Sequence, residues 1–153
     1  MKKYFVFIIS TGLIIACNNN KEQETTDTRE DTVTTYTNWE AGLNDSTGKL
    51  EVKKSEQPGP DTLSAEAMIR FLNNRYPNVQ LKFIKTSGDT IYVSIPEATY
   101  LTQQMGSTGP QLYFADAVYN LTEIPGIHYV NFDFAEGDHA APDILNRDSF
   151  KDE

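Results

Sequence analysis

Apolar residues recur at helical spacing in two stretches of the chain. The first follows Ser64, a good N-cap residue, and stops before Pro77, so the pattern predicts a helix over residues 65–75. The second begins at Pro110, which suits the first turn of a helix, and runs to about Thr122. The apolar positions of the first stretch are Ala65, Met68, Ile69, Leu72 and Tyr76. Each helix therefore has one face to bury against another element.

Alternation of apolar and polar residues predicts three β-strands. Two of them centre on Leu81 and Val93 and flank the turn residues 86–89, so we expect an antiparallel hairpin. The third follows Pro125 and Gly126. The side chains expected on the buried face are Val79, Leu81, Phe83, Ile91, Val93, Ile95, Val130, Phe132 and Phe134. A period of two residues places these side chains on one side of the sheet.

The predicted order of elements is helix, strand, strand, helix, strand, with an optional extra strand over residues 50–52. Such an order favours an α+β fold in which two helices pack on one face of a small three- or four-stranded sheet. We place this domain at residues 61–137. The polar residues 138–153 are expected to trail over the surface as a C-terminal tail.

The segment before the domain is rich in threonine and charge and poor in apolar side chains, so it has little surface to bury. Residues 17–60 are therefore expected to form a flexible linker. Trp39 lies within it. We expect this side chain to fold back onto the domain, the alternative being an anchor that docks on a partner.

The N-terminus has the organisation of a secretory signal. A basic start is followed by an apolar run over residues 4–15, then by Ala16 and Cys17, which resembles the lipobox of a bacterial lipoprotein. The run is shorter than the roughly 20 residues that a membrane-spanning helix needs. We expect residues 1–16 to be a signal peptide and Cys17 to be the lipidated N-terminus of the mature protein. An ordinary secretory signal is the alternative.

Charge narrows the classes of partner. The chain carries 13 basic and 22 acidic residues, and removal of Lys2 and Lys3 with the signal peptide leaves 11 against 22, a net charge of −11. Such a balance argues against nucleic acid and against docking on anionic lipid through basic residues. The acyl chains on Cys17 are then the expected contact with the bilayer, in the cell membrane or the outer membrane. Since Cys17 is the only cysteine, no disulfide is expected.

Acidic residues and one histidine cluster near the end of the last predicted strand. They are Asp133, Glu136, Asp138, His139 and Asp143. Carboxylates with an imidazole are suitable ligands for Ca²⁺ or Zn²⁺. Their spacing fits no known loop motif, so we interpret them as a solvated acidic surface and predict neither a metal site nor a cofactor.

The sequence offers no convincing catalytic set. Asp116 and Glu123 lie two helical turns apart, about 10 Å, which is far for two groups that share a substrate proton. His128 lies at the start of the third predicted strand and alternates in step with Val130 and Phe132, so it is expected to be half-buried. We therefore predict a protein that is not an enzyme.

Part of the chain resembles the GerMN domain of sporulation and germination lipoproteins. The most specific motif is Leu121–Ile127, reading LTEIPGI, and the match also includes Asp89–Val93, the Gly106–Gly109 loop and Val130–Phe132. The resemblance covers about residues 88–137. It implies a non-enzymatic, exported or membrane-anchored module that binds another protein of the cell envelope.

The loop before the second predicted helix is the expected binding site, because loops on a rigid scaffold often carry recognition. The predicted residues are Met105, Gly106, Ser107, Thr108 and Gly109. Met105 is expected to be an exposed, adaptable apolar contact. The alternative function is capture of a small ligand or glycan by this loop together with Tyr92, Tyr100 and Tyr129.

Overall fold

The computed structural model describes residues 36–151, which belong to one compact unit. The helices and strands are β1 (Thr37–Leu43), β2 (Leu50–Pro58), α1 (Ala65–Arg75), β3 (Lys82–Ser87), β4 (Thr90–Ile95), a π-helical turn (Tyr100–Gln104), α2 (Gly109–Leu121), β5 (Tyr129–Phe134), β6 (Asp143–Leu145) and a 3₁₀ helix (Arg147–Phe150). Two main helices pack on a four-stranded mixed sheet, and β1 and β2 form a separate hairpin. The predicted α+β fold class is confirmed.

The four-stranded sheet has the order β3-β4-β5-β6. Neighbouring strands are antiparallel except for the central pair β4 and β5, which is parallel. Parallel neighbours need a long crossover connection, and here it runs through the π-helical turn and α2. The buried side chains of the central strands are Ile91, Val93, Ile95, Val130, Phe132 and Phe134. They form the core beneath the helices.

Both predicted helices are confirmed. The Ser64 hydroxyl accepts a hydrogen bond from the backbone N–H of Ala67 at 3.2 Å, which caps the start of α1. α1 ends at Arg75, two residues before Pro77, because proline has no N–H to continue the helix. α2 begins at Gly109 with Pro110 in its first turn. It is buried on more than one side, since the sheet, α1 and the β1–β2 hairpin all contact it.

The first strand of the β3–β4 hairpin starts later than predicted. Leu81 is buried, but it lies before β3 and not in it. The side-chain amide of Asn73 explains the difference, because it bonds both the N–H and the C=O of Leu81, at 2.7 and 3.0 Å. This ties Leu81 to α1. Phe83, predicted to be buried, is 42% exposed because β3 is the outer strand of the sheet.

The described part of the predicted linker is folded. Residues 37–58 form the antiparallel β1–β2 hairpin, which contains the optional strand at residues 50–52 and packs against α2. The predicted tail is also folded in part, since β6 pairs with β5 and Phe150 is buried. The expectation of a linker up to residue 60 and of a free tail from 138 is corrected for these segments.

The predicted signal peptide and Cys17 lie outside the described residues. Among residues 36–151, no helix has both the length and the apolar character that crossing a bilayer requires.

Candidate functional site

One face of α2 holds the β1–β2 hairpin in place. Asp116 and Asn120 lie on this face of α2, Glu123 follows just after the end of the helix, and all three accept hydrogen bonds from β1. The N–H of Ala41 donates to Asp116 at 3.2 Å, and the N–H of Trp39 donates to Asn120 at 3.0 Å. The Asn120 amide also donates to the Trp39 carbonyl at 3.0 Å. These side chains satisfy backbone groups that a neighbouring strand would otherwise pair.

Asp116 is fully buried and is paired with Arg75 from α1, at 2.9 Å. The same guanidinium donates to the Trp39 carbonyl at 2.7 Å. Burial raises the pKa of the Asp116 carboxyl, and the charge and hydrogen bonds of Arg75 oppose that rise. Because its oxygens bond α1 and β1, the structure places Asp116 in a structural network.

Trp39 folds back onto the domain, as the sequence predicts. Its indole N–H donates to Glu123 at 2.8 Å, and its ring contacts Tyr119 edge-on with centroids 5.4 Å apart. Arg147 stacks over the same indole ring at 5.2 Å. Arg147 also forms an ion pair with Glu123 and donates to the Thr122 hydroxyl at 2.7 Å. This cluster joins the hairpin, α2 and the 3₁₀ helix.

Glu123 makes this cluster sensitive to pH. Partial burial raises the pKa of its carboxyl, but hydrogen bonds from Arg147 and Trp39 outweigh burial and hold the pKa below its usual value of 4.5. The pKa of Glu123 is therefore lower in the folded state than in the unfolded state. The stabilisation that the ionised Glu123 carboxylate contributes is present above pH 4.5 and is lost as the pH falls through the folded pKa.

We therefore expect Glu123→Gln to lower the melting temperature at neutral pH and to lower it less in acid. The measurement is thermal unfolding of both proteins across roughly pH 3–7. Glu51→Gln on β2, where the side chain is exposed, is the matched control. Its melting temperature should differ little from that of wild type at every pH. A gap between Glu123→Gln and wild type that is the same at every pH would contradict this role.

The loop Met105–Gly109 differs from its predicted form. Met105 is half-buried and packs against the core, so the expectation of an exposed methionine is wrong. The physical reason is close packing at the start of α2, where a Cβ on Gly109 would lie 2.5 Å from the Met105 Cβ. Gly106, Ser107 and Thr108 are exposed. The loop therefore presents a polar surface.

The other candidate residues are distributed over several places. His128, predicted to be half-buried, is exposed and lines a polar cleft of about 520 Å³ with Tyr129 and Arg147. Tyr100 is half-buried in the π-helical turn. The acidic residues near the end of β5 do not converge, and no group of three or more possible ligands for a metal ion exists between residues 36 and 151.

The two most exposed of the large apolar side chains, Ile84 and Ile144, lie on the side of the four-stranded sheet that faces away from the core. We call this side the open face. Tyr92 on β4 lies beside Asn131 on β5, which in turn pairs with Ile144 on β6. Ile84 on β3 completes the row, and all four side chains line a shallow groove of about 430 Å³. Ile84 is 48% exposed and Ile144 53%.

Charges lie at the two edges of the open face. Lys82 pairs with Ser94 and Lys85 with Tyr92, so both lysines are on this side of β3. The Lys85 ammonium lies 4.7 Å from the centre of the Tyr92 ring. Asp133 on β5 and Asp143 at the start of β6 line the side of the groove towards β6. The open face thus carries lysines and Ile84 on β3, Tyr92 and Asn131 on the two central strands, and carboxylates with Ile144 towards β6.

Sequence reasoning missed this surface. Ile84 follows Phe83 directly and breaks the alternation, because the pairing of β3 with β4 shifts register between Phe83 and Lys85. Ile144 lies in a polar segment that was interpreted as a tail. Two adjacent apolar residues in an alternating strand are the signal that was available for the shift.

Comparison of this chain with models of protein families, with characterised proteins and with solved structures finds no match in any of the three.

Proposed function

We propose that this protein is a lipid-anchored component of the cell envelope whose domain binds another envelope protein, without catalysing a reaction. The open face of the sheet is the observation that carries the binding role. Sheets with one face in water normally place polar side chains there. Here Ile84, Tyr92 and Ile144 line a groove that crosses that face.

The properties of the open face fit a protein partner. Protein interfaces are enriched in aromatic residues and have an apolar centre with a polar rim. Tyr92 supplies the aromatic ring, the Lys85 ammonium lies over that ring, and Asp143 lines the groove. The face is built on paired strands, so its side chains are positioned before any partner arrives, which lowers the entropy cost of binding.

The anchor is the second part of the proposal, and it comes from Cys17 at the end of the signal-like segment. We expect Cys17→Ser to abolish incorporation of a fatty-acid analogue and to release the protein from the membrane fraction or leave it unprocessed. The reason is that the thiol is the acyl acceptor. Labelling of the Cys17→Ser protein at the wild-type level would contradict the lipid anchor.

Site-specific photocrosslinking in the native envelope tests the binding role. A photoreactive residue at position 144 is expected to give a covalent adduct with a defined protein. The same residue at Glu51, which is exposed on β2, is the matched control and should give none.

A probe at Ser107 tests the loop that the sequence favoured. An adduct from Ser107 and none from position 144 would move the binding surface to the Met105–Gly109 loop. If no position gives a protein adduct, the binding role is refuted and the small-ligand alternative gains support. The feature that favours this alternative is the polar cleft, where Asp89, His128 and Tyr129 provide hydrogen-bonding groups and an aromatic ring.

A further inference from the structure

We propose that the partner of the open face is a second copy of this chain, bound face to face across a two-fold axis that runs parallel to the strands. This inference rests on the proposed function and names its partner. It is carried by two independent properties of the open face, namely the order of side chains across the strands and the separation of charge between its edges.

The central row of the open face is self-complementary. Register places Tyr92, Asn131 and Ile144 side by side, and Ile84, which lies at the register shift between Phe83 and Lys85, lines the same groove. The order from β3 to β6 is therefore Ile84, Tyr92, Asn131 and Ile144. A two-fold axis parallel to the strands reverses this order in the second copy. Ile84 then faces Ile144 of the second copy, and Tyr92 faces Asn131 of the second copy. In the dimer, isoleucine therefore contacts isoleucine, and the Tyr92 phenol contacts the Asn131 amide.

Charge selects this axis over the alternative. With the axis parallel to the strands, the β3 edge of one copy covers the β6 edge of the other. Lys82 and Lys85 then lie near Asp133 and Asp143 of the second copy. An axis in the same plane but perpendicular to the strands would place β3 on β3 and bring lysines against lysines. Like charges across an interface oppose association, so only the first arrangement is favourable.

The selected arrangement is a known way for sheets to pack. It keeps the strands of the two sheets roughly aligned, and aligned sheets pack about 10 Å apart in β-sandwiches. Three strands of six residues and one of three, about 4.8 Å apart, give a face of roughly 300–350 Å² per copy. A standard interface buries about 800 Å² per partner. The dimer is therefore weak in solution, and lipid anchoring strengthens it by raising the local concentration.

Crosslinking between different variants tests the geometry. Ile84→Cys and Ile144→Cys are produced with different tags in the same cells, as full-length chains, and treated with a short bis-maleimide. We expect a crosslinked dimer that contains both tags, and little product from either variant alone, because each position faces the other one. Wild type, which carries only Cys17, is the control for crosslinking through the native thiol.

Charge reversal tests the same axis without cysteines at the centre. One variant carries Lys82→Glu and Lys85→Glu, and the other carries Asp133→Lys and Asp143→Lys. All four side chains are exposed, so both variants should melt as wild type does. Each alone is expected to lose at least about tenfold in dimer yield. A 1:1 mixture should recover the dimer, since the reversed edges then face opposite charges.

The outcomes separate this inference from the proposed function. Equal crosslinking of Ile84→Cys with itself, or no recovery in the mixture of charge variants, would overturn the two-fold arrangement. If position 144 photocrosslinks a different envelope protein while the cysteine pair gives no dimer, the inference fails and the proposed function stands. If neither the photocrosslinked adduct nor the cysteine-linked dimer forms, both the inference and the proposed function are refuted.

Discussion

Replacement of Arg75 by methionine is expected to destabilise the domain by about 3–5 kcal/mol, because it leaves the buried Asp116 carboxylate without a counter-charge. The guanidinium contacts Asp116 at 2.9 Å and also bonds the Trp39 carbonyl at 2.7 Å, so α1, α2 and β1 all lose a contact. Unfolding in urea, followed by circular dichroism, measures the effect. Arg70→Met is the matched control, since Arg70 is exposed on the same helix and should change stability little.

The pH dependence of Arg75→Met has a defined sign. Burial raises the pKa of Asp116 in the folded state, and removal of Arg75 removes the main opposing influence. A folded pKa above the unfolded one means that stability is highest where the carboxyl is protonated and falls as the pH rises through the folded pKa. The difference in unfolding free energy between wild type and Arg75→Met should therefore grow from acid to neutral pH. A deficit independent of pH, or one below about 1 kcal/mol, would show that the pair contributes little.

Removal of the β1–β2 hairpin is expected to abolish cooperative folding. A chain that starts at Asp61 lacks every β1 group that bonds Asp116 and Asn120, and it also lacks the apolar side chains of the hairpin that pack against the core, Ala41, Leu50 and Val52. Each lost hydrogen bond costs about 0.5–1.5 kcal/mol, more where a charged group is involved, and the lost burial of apolar side chains adds to this. A small domain has roughly 5–15 kcal/mol of stability in total.

Amide hydrogen exchange and thermal unfolding measure this effect. A chain that starts at Tyr36 keeps the hairpin and is the control, expected to unfold at the same temperature as one that starts at Cys17. If the chain from Asp61 unfolded cooperatively at that temperature too, the hairpin would be an appendage and the linker predicted from the sequence would be correct after all.

Elements stabilised by local interactions were predictable from the sequence. α1 has its cap at Ser64 and its stop at Pro77, both within a few residues of the helix, and its predicted bounds are confirmed. β5 is likewise confirmed, because Val130, Phe132 and Phe134 alternate without interruption. For Leu81 the local pattern is not sufficient. Its apolar character predicts burial correctly, but the Asn73 amide decides that it lies outside the strand.

The candidate site was less predictable than the fold. Met105 is apolar in a polar stretch, and such a residue is either an exposed contact or a packed one. The position of the core decides between the two, and here Met105 packs against it. The open face could not be foreseen, because Ile84 and Ile144 are 60 positions apart in the sequence and share a surface only through the strand order β3-β4-β5-β6.

By itself the sequence determined the α+β class, both main helices and the central strands, because each depends on residues that are close together in the chain. The tertiary structure alone decided the place of the β1–β2 hairpin. Asp116, Asn120 and Glu123 are a polar stripe in the sequence, typical of a solvated helix face. They face β1 instead, since the N–H groups of Trp39 and Ala41 need acceptors that no strand within residues 36–151 provides on that edge.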